Sequence, residues 1–433
     1  MNALNRGRIR VLFDATILAD GLLKTSRRGG IFWTTQALFR GLAARSELEL
    51  GVYASPFAVD QVNEFLAREF PDAGYRVITR KRSSILGRLR RAVEQYRFRP
   101  HVKAVKFTLR LLETALKIAT ILQDRYSGGR GTDRLADGYD VFFSPCFLAP
   151  RAIRLYSKVR RVTVLYDTIP KIFPKHSLFT RLGFSWNFEL IKGLRADDRC
   201  LAISECTKRD FLRFSKDLKD RNISLLPLAA DRKFHVETDQ EAISAMRRKY
   251  RIPEGMRYFL SLCTIAPHKN LDFALRAFAR FIEKTGDDKT VFVLAGGHWD
   301  RFEGAWAAAL AELGNMRDRI IHAGYIDDED LAALYSGATL FIYPSMYEGF
   351  GLPPLEAMQC GTPVITSNVS SLPEVVGDAA ITVDPYDVNA AVGAIEHIVG
   401  DAVLRERMVT RGLARAGQFS WENTVEIAVR NLI

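Results

Sequence analysis

Long apolar runs are missing from this chain. No stretch approaches the roughly 20 consecutive apolar residues that a membrane-crossing helix needs. The one apolar run near the start, Val11 to Ala19, is broken by Asp14. Arg6, Arg8 and Arg10 precede it, but a charge within the run makes it a poor secretory leader and a good buried strand. Cysteine is scarce: Cys146, Cys200, Cys206, Cys263 and Cys360 form no CxxC pair. That excludes a disulfide framework and points to free, buried thiols in a reducing compartment. No two His or Cys residues have zinc-ligand spacing, so no metal is expected. Glycine and proline, 30 and 16 of 433 residues, are too few for a fibrous or low-complexity chain. The expectation is a cytoplasmic protein.

Apolar residues at 48% and charged residues at 26% are enough to build an ordinary core, and 433 residues imply two or three domains. The net charge of +12 is concentrated. Between Arg80 and Arg130 lie 14 Lys or Arg residues against Glu94, Glu113 and Asp124, a balance of +11, so the remaining chain is nearly neutral. Val102, Val105, Leu109, Leu112 and Leu116 recur at helical steps in this segment, as do Leu86, Leu89, Val93 and Tyr96, with Pro100 between the two sets. Two readings stand. The segment is a basic amphipathic insert that meets an anionic membrane, or a packed helical hairpin with a solvated basic face. Nucleic acid is not expected as a partner, because Tyr96, Phe98 and Phe107 form no stacking motif.

Outside the insert, short apolar runs alternate with helical stretches. Ile9–Phe13, Leu48–Tyr53, Val141–Phe143, Val162–Tyr166, Cys200–Ile203 and Ile223–Leu226 read as strands of a first half. A charged linker with one helix spans 230–254. Strands then resume at Tyr258–Cys263, Val291–Ala295, Ile320–His322, Leu340–Tyr343, Pro363–Thr366 and Ala380–Val383. The expected fold is α/β, with two doubly wound Rossmann-like domains facing a central cleft. The first domain runs over 1–230 with the basic helical insert at about 80–130. The second runs over 231–417, and 418–433 forms a C-terminal helix that can cross back to the first.

Chemistry concentrates where one strand ends, at Tyr343-Pro-Ser-Met-Tyr-Glu348-Gly349-Phe350-Gly351-Leu352-Pro353-Pro354-Leu355-Glu356. A glycine turn opens a helix whose first turn welcomes proline. Free N–H groups at such an opening suit a diphosphate. Glu348 and Glu356 flank the turn: one carboxylate can face a reacting sugar while the other bonds a ribose diol.

This segment resembles the retaining nucleotide-sugar glycosyltransferases of the GT-B fold, family 4 of the glycosyltransferase classification. Their hallmark is two Glu separated by seven residues, and Glu348 and Glu356 match it. The resemblance extends through Gly361-Thr-Pro-Val-Ile, Leu372-Pro-Glu-Val-Val-Gly377 and Arg319-Ile-Ile-His-Ala-Gly324-Tyr-Ile326. It reaches Ser204-Glu205-Cys-Thr-Lys208 and Asp167-Thr-Ile-Pro170 more diffusely, and only the basic insert lacks a counterpart. It implies catalytic roles for Glu348, Lys269 and Asp167, with Lys269 reaching the donor diphosphate. Donor contacts are implied for Gly29, Gly30, His268, Ile326, Gly349, Phe350, Gly351, Leu352 and Glu356. Two departures stand out. Cys263 occupies a position where many relatives carry arginine, leaving His268 or a remote arginine to compensate, and Tyr166 precedes Asp167 where relatives carry histidine. Asp328-Glu329-Asp330 looks like a metal-binding DxD but opens a helix, and is read as a cap.

The function this implies is retaining, metal-independent hexosyl transfer. The sugar, best taken as mannose from GDP-mannose, moves to a glycan or lipid-linked acceptor in surface polysaccharide synthesis. No cofactor is implied; the nucleotide sugar is a substrate. A sugar phosphorylase or nucleotide-sugar epimerase on the same fold, or a non-catalytic membrane-binding protein, are the alternatives. The basic insert makes the inner face of the plasma membrane a candidate partner surface. If it is one, the protein pellets with anionic but not neutral liposomes, and rising salt releases it. Neutralising Arg88, Arg90, Arg91, Lys103 and Lys106 together should abolish pelleting; unchanged binding would leave the solvated hairpin as the answer.

Overall fold

The computed structural model describes residues 7–22, 30–56, 58–79, 135–156, 158–174, 186–264, 266–297 and 313–433. The basic segment 80–130 and Gly29 fall outside these residues. Among the described residues thirteen strands form two sheets, parallel across the first five positions of one and throughout the other.

The first sheet holds β1 (Ile9–Asp14), β2 (Leu48–Tyr53), β3 (Val77–Ile78), β4 (Val141–Ser144), β5 (Arg160–Leu165), β6 (Arg199–Ala202) and β7 (Ile223–Leu225), in the order β3-β2-β1-β4-β5-β6-β7. The second holds β8 (Arg257–Leu262), β9 (Thr290–Ala295), β10 (Ile320–Gly324), β11 (Leu340–Tyr343), β12 (Val364–Ser367) and β13 (Ile381–Val383), in the order β10-β9-β8-β11-β12-β13. Both orders start in the middle, run to one edge and restart beside the first strand, which is the doubly wound plan. The two-residue β3 is the one strand the apolar pattern did not announce; two residues carry no readable period.

The strands form because their residues are apolar on both faces, as a sheet covered on both sides requires. Val11, Leu12 and Phe13 are fully buried, as are Phe259, Leu260 and Phe292 to Ala295. Around β1, the Phe13 ring lies 5.1 Å from Phe39 of the helix Gly30–Ala43 and 5.4 Å from Phe143. Around β8, Phe259, Phe278, Phe281 and Phe292 make an aromatic core with centroid separations of 5.4–5.7 Å. Phe278 and Phe281 come from the helix Leu271–Thr285, whose buried residues recur at three- and four-residue steps.

The chain groups into two compact units. One comprises 1–164, 194–200 and 428–433; the other comprises 165–193 and 201–427. The segment after β5, with Asp167, and the helix Glu205–Phe214 therefore belong to the same unit as the second sheet. In that sheet the order reverses between β8 and β11. Ligands of open α/β sheets bind outside the carboxyl ends of the strands at such a switch point. Lys269 lies on the turn after β8, and Glu348 on the loop after β11.

Candidate active site

Side-chain hydroxyls tie the loop 344–351 and the strand end before it to their surroundings. Ser345 Oγ donates to His268 O at 2.9 Å, and Thr366 Oγ1 donates to Tyr343 O at 2.7 Å. Ser371 Oγ donates to Glu348 O at 3.0 Å and Phe350 O at 2.6 Å, while Ser370 Oγ accepts from Glu348 N at 3.0 Å. Ser204 Oγ and Thr207 Oγ1 donate to Gly349 O at 2.6 and 3.1 Å. Fully satisfied polar contacts of this kind fix a loop in one conformation. Two positions demand glycine. A Cβ at Gly349 would lie 2.9 Å from Asp167 Cβ and 3.0 Å from Asp167 N, and Gly351 turns into the helix at φ +127°.

The helix Leu352–Gln359 opens at Gly351, with Pro353 and Pro354 in its first turn. This corrects the simple picture of a helix opening rich in N–H donors. Proline has no N–H, so the turn offers an anion the donors of Phe350, Gly351 and Leu352. Positive potential must then come mainly from a side chain.

Lys269 supplies it. Its Nζ lies 2.6 Å from Glu348 Oε1 and 2.6 Å from Tyr343 Oη, and Tyr343 donates to the same carboxylate oxygen at 2.8 Å. The two charged side chains are only 14% and 11% exposed. Burial alone would raise the Glu348 carboxyl, but Lys269 and, more weakly, His268 hold it below the ordinary glutamate value. The Tyr343 hydroxyl is pushed well up by burial and by the Glu348 charge, so it stays a donor. His268 is buried, and its carbonyl also takes Met346 N at 2.7 Å. Asn270, at φ +57°, donates to Pro344 O at 3.2 Å and Pro385 O at 2.8 Å, locking the turn that carries Lys269.

Asp167 meets Glu348 through the Gly349 contact. Its Oδ1 accepts from Ile169 N at 3.0 Å. Burial, reinforced by the Glu348 charge and opposed by that bond and by Lys269, raises its carboxyl to about 6. Two neighbouring carboxyls are thus pushed in opposite directions, the pattern expected where one must stay charged and the other can hold a proton. Glu356, on the helix, accepts from Tyr335 Oη at 3.0 Å, and burial pushes it up to about 7.

The other expected residues divide. Phe350 and Ile326 are buried, Leu352 is half-buried, and Gly30 opens the helix Gly30–Ala43 of the first unit. Cys263 is buried at the exit of β8. Asp328, Glu329 and Asp330 do not cap the helix that follows, for no side-chain cap bond forms there. They hold lysines instead. Lys233 pairs with Asp328 at 2.8 Å, and Lys249 pairs with Asp327 at 2.9 Å, Asp330 at 2.5 Å and Glu329 at 3.9 Å. Asp327, Glu329 and Asp330 are close enough to share a cation, and Lys249 is the cation beside them. A cavity of about 260 Å³ beside Phe350 is lined by Ser204, Glu374, Arg415 and Phe419 but by neither Glu348 nor Lys269. The charged pair therefore stands apart from this cavity. Tyr343, Ser345, Ser370 and Ser371 went unrecognised in the sequence; their placement beside a switch-point loop is the signal that finds them.

Residues 242–415 match the family model of glycosyl transferases group 1. The O-antigen chain mannosyltransferase B of Escherichia coli is 34% identical over 287 residues, 65% of this chain and 71% of that protein. The serotype-specific mannosyltransferase WbdA of Escherichia coli is 28% identical over 270 residues, 62% of this chain, which spans only 33% of that relative's length. Among solved structures, Anabaena Alr3699/HepE in complex with UDP and glucose superposes with a TM-score of 0.65 at 16% identity, covering 98% of this chain and 99% of that one.

The raised Glu356 carboxyl has a stability consequence. Between its ordinary value of 4.5 and about 7 the folded chain keeps a proton that the unfolded chain releases. Stability therefore falls as pH rises through that window. Glu356→Gln cannot ionise and should remove this part of the fall. Its thermal midpoint should exceed that of the wild type at pH 8 by about 2–4 °C, the equivalent of roughly 1 kcal/mol, and match it at pH 5. A variant less stable than wild type at pH 8, though equal to it at pH 5, would show that the ionised carboxylate stabilises the fold.

Proposed function

The chain belongs to the group 1 glycosyl transferases, and from that premise we propose that it is a retaining hexosyltransferase. It transfers mannose from GDP-mannose to a glycan or lipid-linked saccharide in the synthesis of a surface polysaccharide. The mannose assignment draws on the two mannosyltransferase relatives, and the polysaccharide on the O-antigen relative. The observation that carries the catalytic reading is the 2.6 Å pair of Lys269 Nζ and Glu348 Oε1 beside the Gly349–Gly351 turn.

In this reading the diphosphate lies against Lys269 and the N–H groups of the turn. Lys269 gains a second anionic partner as the bond from the anomeric carbon to the leaving phosphate oxygen breaks, and so favours the transition state over the ground state. Glu348, kept ionised, faces the positive charge that develops on the sugar. The acceptor hydroxyl oxygen bonds to the anomeric carbon from the side the diphosphate leaves, and its proton passes to the departing phosphate oxygen. Glu356 receives the ribose diol. No step uses a metal, because a cation and backbone donors already meet the diphosphate. A pyridoxal-dependent phosphorylase would need a neutral lysine amine for its Schiff base; Lys269 in an ion pair is unsuited to that role.

Screening purified protein against GDP-mannose, UDP-glucose and dTDP-glucose tests the proposal. GDP-mannose should be cleaved, and EDTA should leave the rate unchanged. Glu348→Gln should lower kcat about 100-fold with GDP affinity nearly intact, as expected of a group that acts in the transition state, whereas Glu356→Ala should mainly raise KM. No cleavage of any nucleotide sugar, a pyridoxal absorbance band, or a rate lost on chelation and restored by Mn²⁺ would overturn it.

A further inference from the structure

Asp210 lies on the helix Glu205–Phe214, away from the two-glutamate motif in sequence. Its Oδ2 accepts a hydrogen bond from Thr168 Oγ1 at 2.9 Å and another from the Tyr347 hydroxyl. The two hydroxyl oxygens are 3.3 Å apart. Thr168 is fully buried and Tyr347 nearly so. Thr168 directly follows Asp167, and Tyr347 directly precedes Glu348. One carboxylate oxygen thus binds the immediate neighbours of both carboxyl residues of the site.

The same helix grips the Glu348 loop on its other side. Ser204 caps the helix by accepting from Thr207 N at 3.0 Å, and Ser204 and Thr207 both donate to Gly349 O. The helix is itself anchored, because Glu374 accepts from the N–H groups of Glu205 and Cys206 at 2.8 and 3.0 Å. Glu348 is therefore bracketed by Tyr347 and Gly349, both tied to one helix, and Asp167 is tied to that helix through Thr168.

We propose that Asp210 is a positioning residue that sets the spacing between Asp167 and Glu348. Tyr347 and Thr168 are short relays: each spans from Asp210 to the backbone next to one of the two carboxyl residues. Without the shared acceptor, one hydroxyl can at best donate to the other across 3.3 Å, and the second buried donor is left unsatisfied until the segments move to find another acceptor. Asp167 lies so close to Gly349 that a Cβ there would be 2.9 Å from its own, so movement of either segment alters the distance between the carboxyls. The proposal rests on the transferase reading for its kinetic arm and on geometry alone for its structural arm.

The test compares Asp210→Ala, Asp210→Asn and Tyr347→Phe in the full chain. Asp210→Ala should lower kcat for GDP-mannose cleavage about 10–100-fold, the cost of a misplacement on the order of 1 Å, with donor KM changed by less than about threefold. Asp210→Asn keeps an acceptor oxygen and should recover most of the rate, and Tyr347→Phe, which leaves the ring in place, should lie between. A residue that only stabilises the fold would lower the melting midpoint without this split between kcat and KM. A kcat within about twofold of wild type in Asp210→Ala overturns the proposal, as does no recovery in Asp210→Asn. If the wild type cleaves no nucleotide sugar, the transferase reading fails, and crystal structures of wild type and Tyr347→Phe still decide. A changed distance between Asp167 and Glu348 supports the spacing role; an unchanged one refutes it.

Discussion

The contact between Lys269 and Glu348 is the interaction on which the site depends. Two opposite charges are taken out of water together, 2.6 Å apart, with the Tyr343 hydroxyl bonded to both. Separately neither charge would be tolerated there; removing one member of a buried pair costs about 3–5 kcal/mol because the other is left uncompensated. The pair also joins the two strands at which the second sheet reverses its order, since Lys269 follows β8 and Glu348 follows β11. Neither side chain can be moved without disturbing the other's strand end. The hydroxyls of Ser345, Ser370 and Ser371 then hold the backbone on which the carboxylate stands.

Electrostatics divides labour among three carboxyl groups that composition treats alike. Glu348 is held below its ordinary value by a lysine, Asp167 is raised to about 6 and Glu356 to about 7, chiefly by burial. The difference is one of partners. Glu348 has a cation in contact, Asp167 has a backbone N–H and a neighbouring negative charge, and Glu356 has a tyrosine hydroxyl. Lys269 favours the anion of the first while burial favours the protonated form of the third, so a ligand that demands the ionised form of Glu356 must also work against burial.

Much of this was legible in the sequence where the signal is local. The runs around Val11, Val141, Phe259 and Val291 announced strands because strands covered on both faces must be apolar throughout, and Glu348 and Lys269, both singled out by their motifs, meet in the structure. Contacts between distant segments left no such trace. Asp210 is an ordinary acidic residue on an amphipathic helix, and nothing within a few residues of it records that Thr168 and Tyr347 arrive from 42 and 137 positions away. Asp328 to Asp330 misled for the same reason: a local rule favours acidic residues in a first helical turn, but Lys233 and Lys249 come from elsewhere to claim them. The double proline at the helix opening carries two signals at once: it favours a helix start and removes N–H donors from it.

The central claim is that Lys269 keeps a buried Glu348 ionised, and titration of the Glu348 side chain by ¹³C NMR tests it directly, with Glu348→Gln used to assign the signal. In the wild type the resonance should titrate below the ordinary glutamate value of 4.5. In Lys269→Met, with burial no longer opposed by a cation, it should move above that value. A wild-type Glu348 that titrates at or above 4.5, or one whose titration Lys269→Met leaves unchanged, would contradict the account.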